Sequence, residues 1–421
     1  MRSLYNAGIS IYSLAVKIAS GKNEKARLMI NGHKEVFNYL KKNITGKEDI
    51  IWVHASSLGE FEQGRPLIER IKREKPQYKI LLTFFSPSGY EVRKNYSYAD
   101  YVCYLPFDKF SLAKEFIDIT EPKMTFFIKY EFWANYLYQL HNRKIPIYLV
   151  SAIFRPSQIF FKSYGGYFRK MLTLYDKIFV QNEQSYELLK GLNLKNVTIS
   201  GDTRFDRVIE IANDAKILPV VEEFVKDSDF TLVAGSSWPK DEDIFIDYFN
   251  NHKEMKLIIA PHEIHKEHVD NIISKLKRPY LKYSQLTEKD KVTPLSDISL
   301  SGVDCIIIDC IGLLSSIYRY GNCAYIGGGF GVGIHNVLEA AVYNIPVVFG
   351  PNYHKFNEAV KLIADNGGFS INDKTQFDEL MSKFISDKNY LLESGKNAGE
   401  YVKKNSGASD IVIGNIFDGK N

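Results

Sequence analysis

The sequence predicts an α/β protein built from two doubly wound domains. Three observations carry that prediction: a length of 421 residues, short apolar runs alternating with helical stretches, and a single interruption of the alternation near the middle. A chain this long exceeds what one core usually organises. Continuous apolar runs, with no polar side to face water, describe parallel strands covered on both faces.

Taken in order, residues 1–27 come first. Leu4 to Ala19 is mostly apolar, is interrupted by Asn6, Ser10, Ser13 and Lys17, and is followed by Lys22, Lys25 and Arg27. With only Arg2 ahead of it and a run that barely reaches the length of a bilayer, it fits neither a cleaved leader nor a full span. An interfacial anchor helix held by its basic flank is expected. Residues 28–210 form the first domain, with strand candidates at Ile50–Ala55, Lys79–Phe85, Tyr101–Leu105, Met124–Ile128, Ile147–Ser151, Lys177–Val180 and Val197–Ser200, and a helix from Glu60 to Arg73. Residues 211–228 carry no strand signal, contain Pro219 and read as a linker. The pattern restarts at Phe230–Gly235 for a second domain, 229–400, with further strands at Lys256–Ala260, Asp304–Ile308, Asn322–Ile326 and Ile345–Phe349 and a helix at Val337–Tyr343. Residues 287–302 are polar and read as a loop; residues 401–421 are helical and able to pack back on the first domain.

Composition narrows the function classes. A net charge of +4 and no long Lys/Arg block argue against nucleic acid as partner. The apolar fraction of 45% and charged fraction of 25% suit a body that folds in water. Cys103, Cys305, Cys310 and Cys323 lie mostly in apolar runs without CxxC spacing, which predicts buried, reduced thiols and a cytoplasmic setting.

Ligands of open parallel sheets bind beyond the carboxyl ends of the strands, so the residues following each strand come next. The first strand runs into His54-Ala55-Ser56-Ser57-Leu58-Gly59-Glu60, a carboxylate at a helix start. Taken locally, Glu60 is equally a first-turn residue behind a serine cap. The strand ending at Ile128 leads into Lys129-Tyr130-Glu131-Phe132-Trp133-Ala134-Asn135, a second such acid. In the second domain, Gly327-Gly328-Gly329-Phe330-Gly331-Val332-Gly333-Ile334-His335-Asn336-Val337-Leu338-Glu339 follows a strand and opens a helix. Glycines there admit a phosphate to backbone N–H groups, and Glu339 is spaced for ribose hydroxyls; close packing is the competing explanation. The segment lacks the Lys-Ser/Thr of a phosphate loop and comes too late for a dinucleotide fingerprint, which leaves a mononucleotide. Gly235-Ser236-Ser237-Trp238, Ala260-Pro261-His262-Glu263 and Gly350–Asn357 are further strand-end loops. His262, His265 and His268 have helical spacing but do not make a zinc set, and no metal site is expected.

These motifs, colinear over nearly the whole chain, resemble the transferases that move 3-deoxy-D-manno-oct-2-ulosonic acid (Kdo) from CMP-Kdo to a lipid A precursor. The likeness includes His54 to Glu60, Tyr130 to Asn135, Gln181-Asn182-Glu183, Gly201 to Asp206, Gly235-Ser236-Ser237, the glycine loop through Ala341, and Gly350-Pro351. It implies a GT-B fold, two Rossmann-like domains facing an interdomain cleft, with an N-terminal membrane-associated helix. It implies an inverting, metal-independent glycosyltransferase of lipopolysaccharide core biosynthesis, acting without a cofactor at the cytoplasmic face of the bacterial inner membrane on a lipid IVA-like acceptor. Glu60 matches the family's general base and Glu131 the second acid of its Glu-Thr-Glu-Leu-Trp-Pro-Asn motif. His335, Asn336 and Glu339 match its donor segment, which with Ser236, Ser237, His262, Gly328, Gly329, Gly331 and Gly333 gives the expected donor site. His54, Ser56, Ser57 and Gly59 are the expected acceptor side. Lys129 stands where the motif has its first acid, Ala134 where it has proline, Ile334 where the family has glycine, and His262-Glu263 where it often has Arg-His. A GT-B enzyme using a UDP-sugar and a non-catalytic membrane-surface scaffold are the competing functions. A pyridoxal-dependent phosphorylase is disfavoured because no lysine stands out for a Schiff base.

Overall fold

The structure, a computed structural model, describes residues 2–288, 291–292 and 300–419. The chain divides into two compact units, one comprising residues up to Arg207 together with those from Ser406 on, the other Val208–Asn405.

The first unit holds seven parallel strands: β1 (Ile50–His54), β2 (Lys79–Phe84), β3 (Tyr101–Tyr104), β4 (Met124–Ile128), β5 (Ile147–Ala152), β6 (Lys177–Val180) and β7 (Val197–Ile199), in the order β3-β2-β1-β4-β5-β6-β7. The strand order reverses at β1, where Val53 lies opposite Leu82 on one side and Phe126 on the other. Continuous apolar sequence has its cause here, because alternate residues feed two separate cores. Trp52, Phe127 and Leu149 pack on one face with Phe116 and Tyr136, while Ile51, Val53 and Phe126 pack on the other with Phe61 and Leu67. Burying each such side chain stabilises the domain by roughly 1.5–3 kcal/mol.

Two helices precede the sheet, α1 (Arg2–Ala19) and α2 (Glu24–Asn43). Asn23 caps α2 by accepting the Ala26 N–H at 3.0 Å, and α2 buries Met29, Val36 and Leu40. No residue of α1 is fully buried. Arg2, Tyr5, Asn6, Ile9, Ser13 and Val16 form its docked, half-buried side, whereas Leu4, Ile11, Leu14 and Ile18 stand outward, 57–73% exposed. No helix among the described residues is long and apolar enough to cross a membrane.

The second unit holds β8 (Phe230–Ser237), β9 (Met255–Pro261), β10 (Tyr280–Lys282), a minor antiparallel ladder of β11 (Thr287–Glu288) and β12 (Lys291–Val292), then β13 (Cys305–Ile307), β14 (Cys323–Ile326), β15 (Val347–Phe349) and β16 (Gly368–Ser370). Its main sheet is again seven-stranded and parallel, ordered β10-β13-β9-β8-β14-β15-β16, and reverses at β8. The edge strands β10 and β16 were not expected, since Tyr-Leu-Lys and Gly-Phe-Ser are too short and mixed to give an apolar run. Most of the polar stretch 287–302 lies outside the described residues.

Two boundaries differ from expectation. The stretch 211–228 contains a helix, Pro219–Val225, that buries Val220, Val221 and Phe224 in the second unit, so Pro219 starts an element at its first turn instead of breaking one. At the C-terminal end the units exchange at residue 405. The helix Lys388–Lys404 stays with the second unit, while Ala408–Phe417 returns to the first, burying Val412 and Ile413 beside Phe61 and Leu67. Asp206 caps this last helix by accepting the N–H groups of Gly407 and of Ser409, the latter at 2.7 Å. All four cysteines are free; Cys103, Cys305 and Cys323 are buried and Cys310 is half-buried.

Candidate functional site

In the first unit the residues beyond β1 and β4 meet at the point where strand order reverses. The helix α3 (Leu58–Glu74) begins there with Ser57 at its N-cap and Glu60 in its first turn, and the Ser57 hydroxyl donates to the Glu60 carboxylate. Glu60 is half-buried and keeps contact with solvent. Burial pushes the nearby Tyr130 hydroxyl up; Arg155 opposes that shift and the Glu60 charge adds to it, so both charges lie within reach of Tyr130.

Glu131 differs from the expectation of a second acid facing substrate. It is 3% exposed, and its Oε2 accepts from Ser56 Oγ at 2.8 Å and from Trp133 Nε1, and lies 3.1 Å from His54 Nε2. Its position comes from Lys129, whose left-handed φ of 73° turns the chain sharply at the end of β4. The carboxylate therefore organises the loops around it. His54, expected on the acceptor side, is fully buried instead; its Nδ1 lies 2.8 Å from Thr83 Oγ1, which in turn accepts from Trp52 Nε1. His54 is the last residue of β1, with Thr83 of β2 and Phe127 of β4 on its flanks, and its ring is covered on all sides. Ser56 and Ser57 are half-buried and Gly59 is exposed, but the two hydroxyls already serve Glu131 and Glu60.

In the second unit the loops after β8, β9 and β14 converge. Trp238 stacks on His262 at 4.7 Å between ring centroids, His262 stacks on His335 at 4.4 Å, and Trp238 Nε1 donates to His335 Nε2 at 3.1 Å. That bond fixes the remaining ring hydrogen of neutral His335 on Nδ1. Burial, and then His262, lowers the pKa of His335. Asn336 donates to Glu339 at 3.0 Å and caps the following turn by accepting the Leu338 N–H at 3.1 Å. Ser237, expected to touch donor, is fully buried and donates to Glu242 at 2.9 Å; Ser236, at φ 51°, keeps partial exposure.

The glycine loop combines both explanations its sequence allowed. A Cβ on Gly327 would lie 2.1 Å from the Ser236 carbonyl oxygen, and one on Gly329 would lie 2.5 Å from Gly350 N. Gly328 and Gly333 have φ of 92° and 138°. Only Gly331, exposed, has room for a side chain. The N–H of Gly328 is held by Asp241 at 2.8 Å, and those of Gly331 and Gly333 by the Gly328 carbonyl. The loop opens a helix of only four residues, Leu338–Ala341, shorter than expected. Those three amides are therefore already taken within the protein.

Sequence reasoning missed Asp241, which accepts from Gly328, from Trp238 N–H at 3.0 Å and from Tyr325 Oη at 3.0 Å, and so ties three elements together. The available signal was its place three residues after Trp238 in a Pro-initiated helix. Among the described residues, Glu263, His265 and His268 bring potential metal ligands within 4.8 Å of one another. Both ring nitrogens of His268 already lie against protein oxygens, the Glu263 carbonyl at 2.8 Å and Glu242 at 2.9 Å.

Comparison with known proteins agrees with this layout. The family model of 3-deoxy-D-manno-octulosonic-acid transferase (kdotransferase) matches residues 31–207. A 3-deoxy-D-manno-octulosonic acid transferase of Aquifex aeolicus is 28% identical over 377 residues, covering 86% of this chain and 95% of that relative. The corresponding transferase of Rickettsia prowazekii is 24% identical and covers 95% and 87%. Among solved structures, UDP-GlcNAc 2-epimerase from Neisseria meningitidis bound to UDP-GlcNAc superposes with a TM-score of 0.60 at 15% identity, over 88% of this chain and 99% of that one. MurG of Acinetobacter baumannii gives 0.55 at 9% identity, over 88% and 99%. These last two bear on the fold, which is GT-B.

Proposed function

Starting from a chain that belongs to the Kdo transferase family of glycosyltransferases, we propose that it transfers Kdo from CMP-Kdo to a lipid A precursor of the lipid IVA type, with inversion, and that Glu60 is the general base. The observation that supports this reading most is the contrast between the two acids at the first sheet's reversal point: Glu131 is buried with one oxygen held by Ser56 and Trp133 and facing His54, and Glu60 keeps solvent contact.

In this mechanism Glu60 takes the proton of the acceptor hydroxyl as its oxygen attacks the anomeric carbon of Kdo and the bond to the CMP phosphate breaks. Glu131 acts as a positioning residue, holding Ser56 and Trp133 beside the helix that carries Glu60. In the donor domain the Nδ1–H of His335 is offered to the departing phosphate, and Glu339, oriented by Asn336, to ribose hydroxyls. A leaving nucleoside monophosphate carries less charge than a diphosphate, which suits a site that uses neutral donors.

The reading extends to location. Leu4, Ile11, Leu14 and Ile18 form an outward apolar stripe on α1, and Lys22, Lys25 and Arg27 follow it. A helix of this kind lies in the headgroup region of an anionic membrane, where a lipid acceptor resides. The cytoplasmic face of the inner membrane is the proposed site of action. Competition binding tests the donor assignment: CMP should displace a labelled cytidylyl ligand and UDP should not. Preference for UDP would overturn it in favour of a UDP-sugar enzyme.

A further inference from the structure

The helix Ala134–Asn142 begins immediately after Glu131 and Trp133, and its N-cap position is Trp133, which has no side-chain acceptor to offer the first free N–H groups. The caps come from elsewhere. Asp108 accepts the N–H of Asn135 and of Tyr136, both at 3.0 Å, and Tyr5 of α1 accepts the Ala134 N–H at 3.3 Å while donating to Asp108 at 2.6 Å. Asn6 of α1 accepts from Asn135 Nδ2 at 2.8 Å. Asn135 and Asp108 are buried, so these bonds lie in a region where an unmade partner is costly.

A second, apolar route joins the same places. Tyr12 of α1 stacks on Phe85 at 6.3 Å, Phe85 packs on Trp133 at 4.6 Å, and the Trp133 indole donates to Glu131. Glu131 in turn holds Ser56, whose neighbour Ser57 holds Glu60. Every link from α1 to Glu60 joins touching side chains or chain neighbours within one domain.

We infer that α1 is a working part of the acceptor site: Tyr5 and Asn6 of its docked side, with the half-exposed Tyr12 at its border, set the position of Trp133, Glu131 and ultimately Glu60, so that seating the outward side on a lipid surface is coupled to the competence of the site. Tyr5 and Asn6 are positioning residues and touch no substrate. The inference rests on the transferase reading for its functional consequence and on the hydrogen bonds alone for its structural one.

The two sides of α1 separate the effects. Tyr5→Phe with Asn6→Leu, in the full chain, should lower kcat on detergent-dispersed acceptor about tenfold, since sub-ångström misplacement of a reacting group is costly. KM for the donor and partitioning onto anionic vesicles should be unchanged. Ile11→Ser with Ile18→Ser should weaken vesicle partitioning and, with it, transfer to vesicle-borne acceptor, while exchange at residues 134–136 stays at the wild-type rate. Tyr5→Phe alone, which keeps the ring packing, serves if the double variant unfolds. Hydrogen exchange, read without substrate, should be faster at the amides of residues 134–136 in the docked-side variants only. Wild-type kcat together with wild-type exchange in those variants overturns the coupling. An inactive wild-type chain would count against the transferase reading, while exchange would still decide the coupling.

Discussion

Replacing Glu131 by alanine should destabilise the first domain far more than replacing Glu60, although both acids follow strands of one sheet. Glu131→Ala removes the acceptor serving Ser56 Oγ and Trp133 Nε1 and facing His54 Nε2. His54 is fully buried and cannot turn to water, whereas Ser56 and Trp133 are half-buried and recover part of the loss. At about 1–3 kcal/mol for a buried unmet group and somewhat less for the others, the expected loss is about 3–5 kcal/mol. That is a large share of a domain stability of about 5–15 kcal/mol. Glu60→Ala, at a half-exposed helix start, should cost about 0.5 kcal/mol or less from the first-turn dipole interaction. Urea unfolding followed by tryptophan fluorescence measures both. Equal stability of Glu131→Ala and wild type would refute the claim that this carboxylate is structural, and with it the division of roles between the two acids.

Other consequences are as direct. His33, packed 4.5 Å from the Phe107 ring, has both ring nitrogens buried without a hydrogen-bond partner among the described residues, and burial lowers its pKa from 6.5 to about 4. Its folded pKa lies below its unfolded one, so its contribution is present above pH 6.5 and is lost as the pH falls toward 4, about 3 kcal/mol in all. Asp108 acts with opposite sign, because burial raises it from 3.8 to about 6 and its contribution is lost as the pH rises through that range. The difference between the pH–stability curves of wild type and His33→Phe cancels Asp108, and should open only below pH 6.5. Gly329→Ala should unfold or badly distort the second domain, since the new Cβ meets the Gly350 backbone, while Gly331→Ala should leave thermal stability unchanged; weaker CMP binding by Gly331→Ala would locate the ligand over that glycine. Leu14→Glu on the outward face of α1 should weaken binding to anionic vesicles and leave stability unaltered, as measured by co-sedimentation and thermal unfolding.

The alternation of apolar runs and helices was enough to expect both sheets, because central parallel strands must be apolar on two sides and say so in sequence. Edge strands have no such obligation, and β10 and β16 escaped for that reason. Positions at strand ends were legible as candidates, yet their exposure was not. His54 and Ser237 sit in chemically suggestive motifs, but only three-dimensional packing reveals that both are fully buried, each answering a buried carboxylate. The glycine loop was ambiguous in sequence because close approach, positive φ and ligand access all select glycine; the neighbours of each one separate those demands. The hydrogen bonds that α1 accepts from Ala134 N–H and the Asn135 side chain join residues more than a hundred positions apart and leave no local signal.

The central claim is that this chain moves Kdo from CMP-Kdo onto a lipid A precursor with Glu60 as base. Mass spectrometry of the acceptor after incubation of the full chain with CMP-Kdo and a tetraacylated lipid A precursor, in the presence of chelator, tests it most directly. Wild type should yield a product heavier by one or more Kdo units. Glu60→Ala should still bind CMP-Kdo but show transfer reduced about 10²- to 10⁴-fold. An unmodified acceptor with wild type, or full transfer by Glu60→Ala, would contradict it.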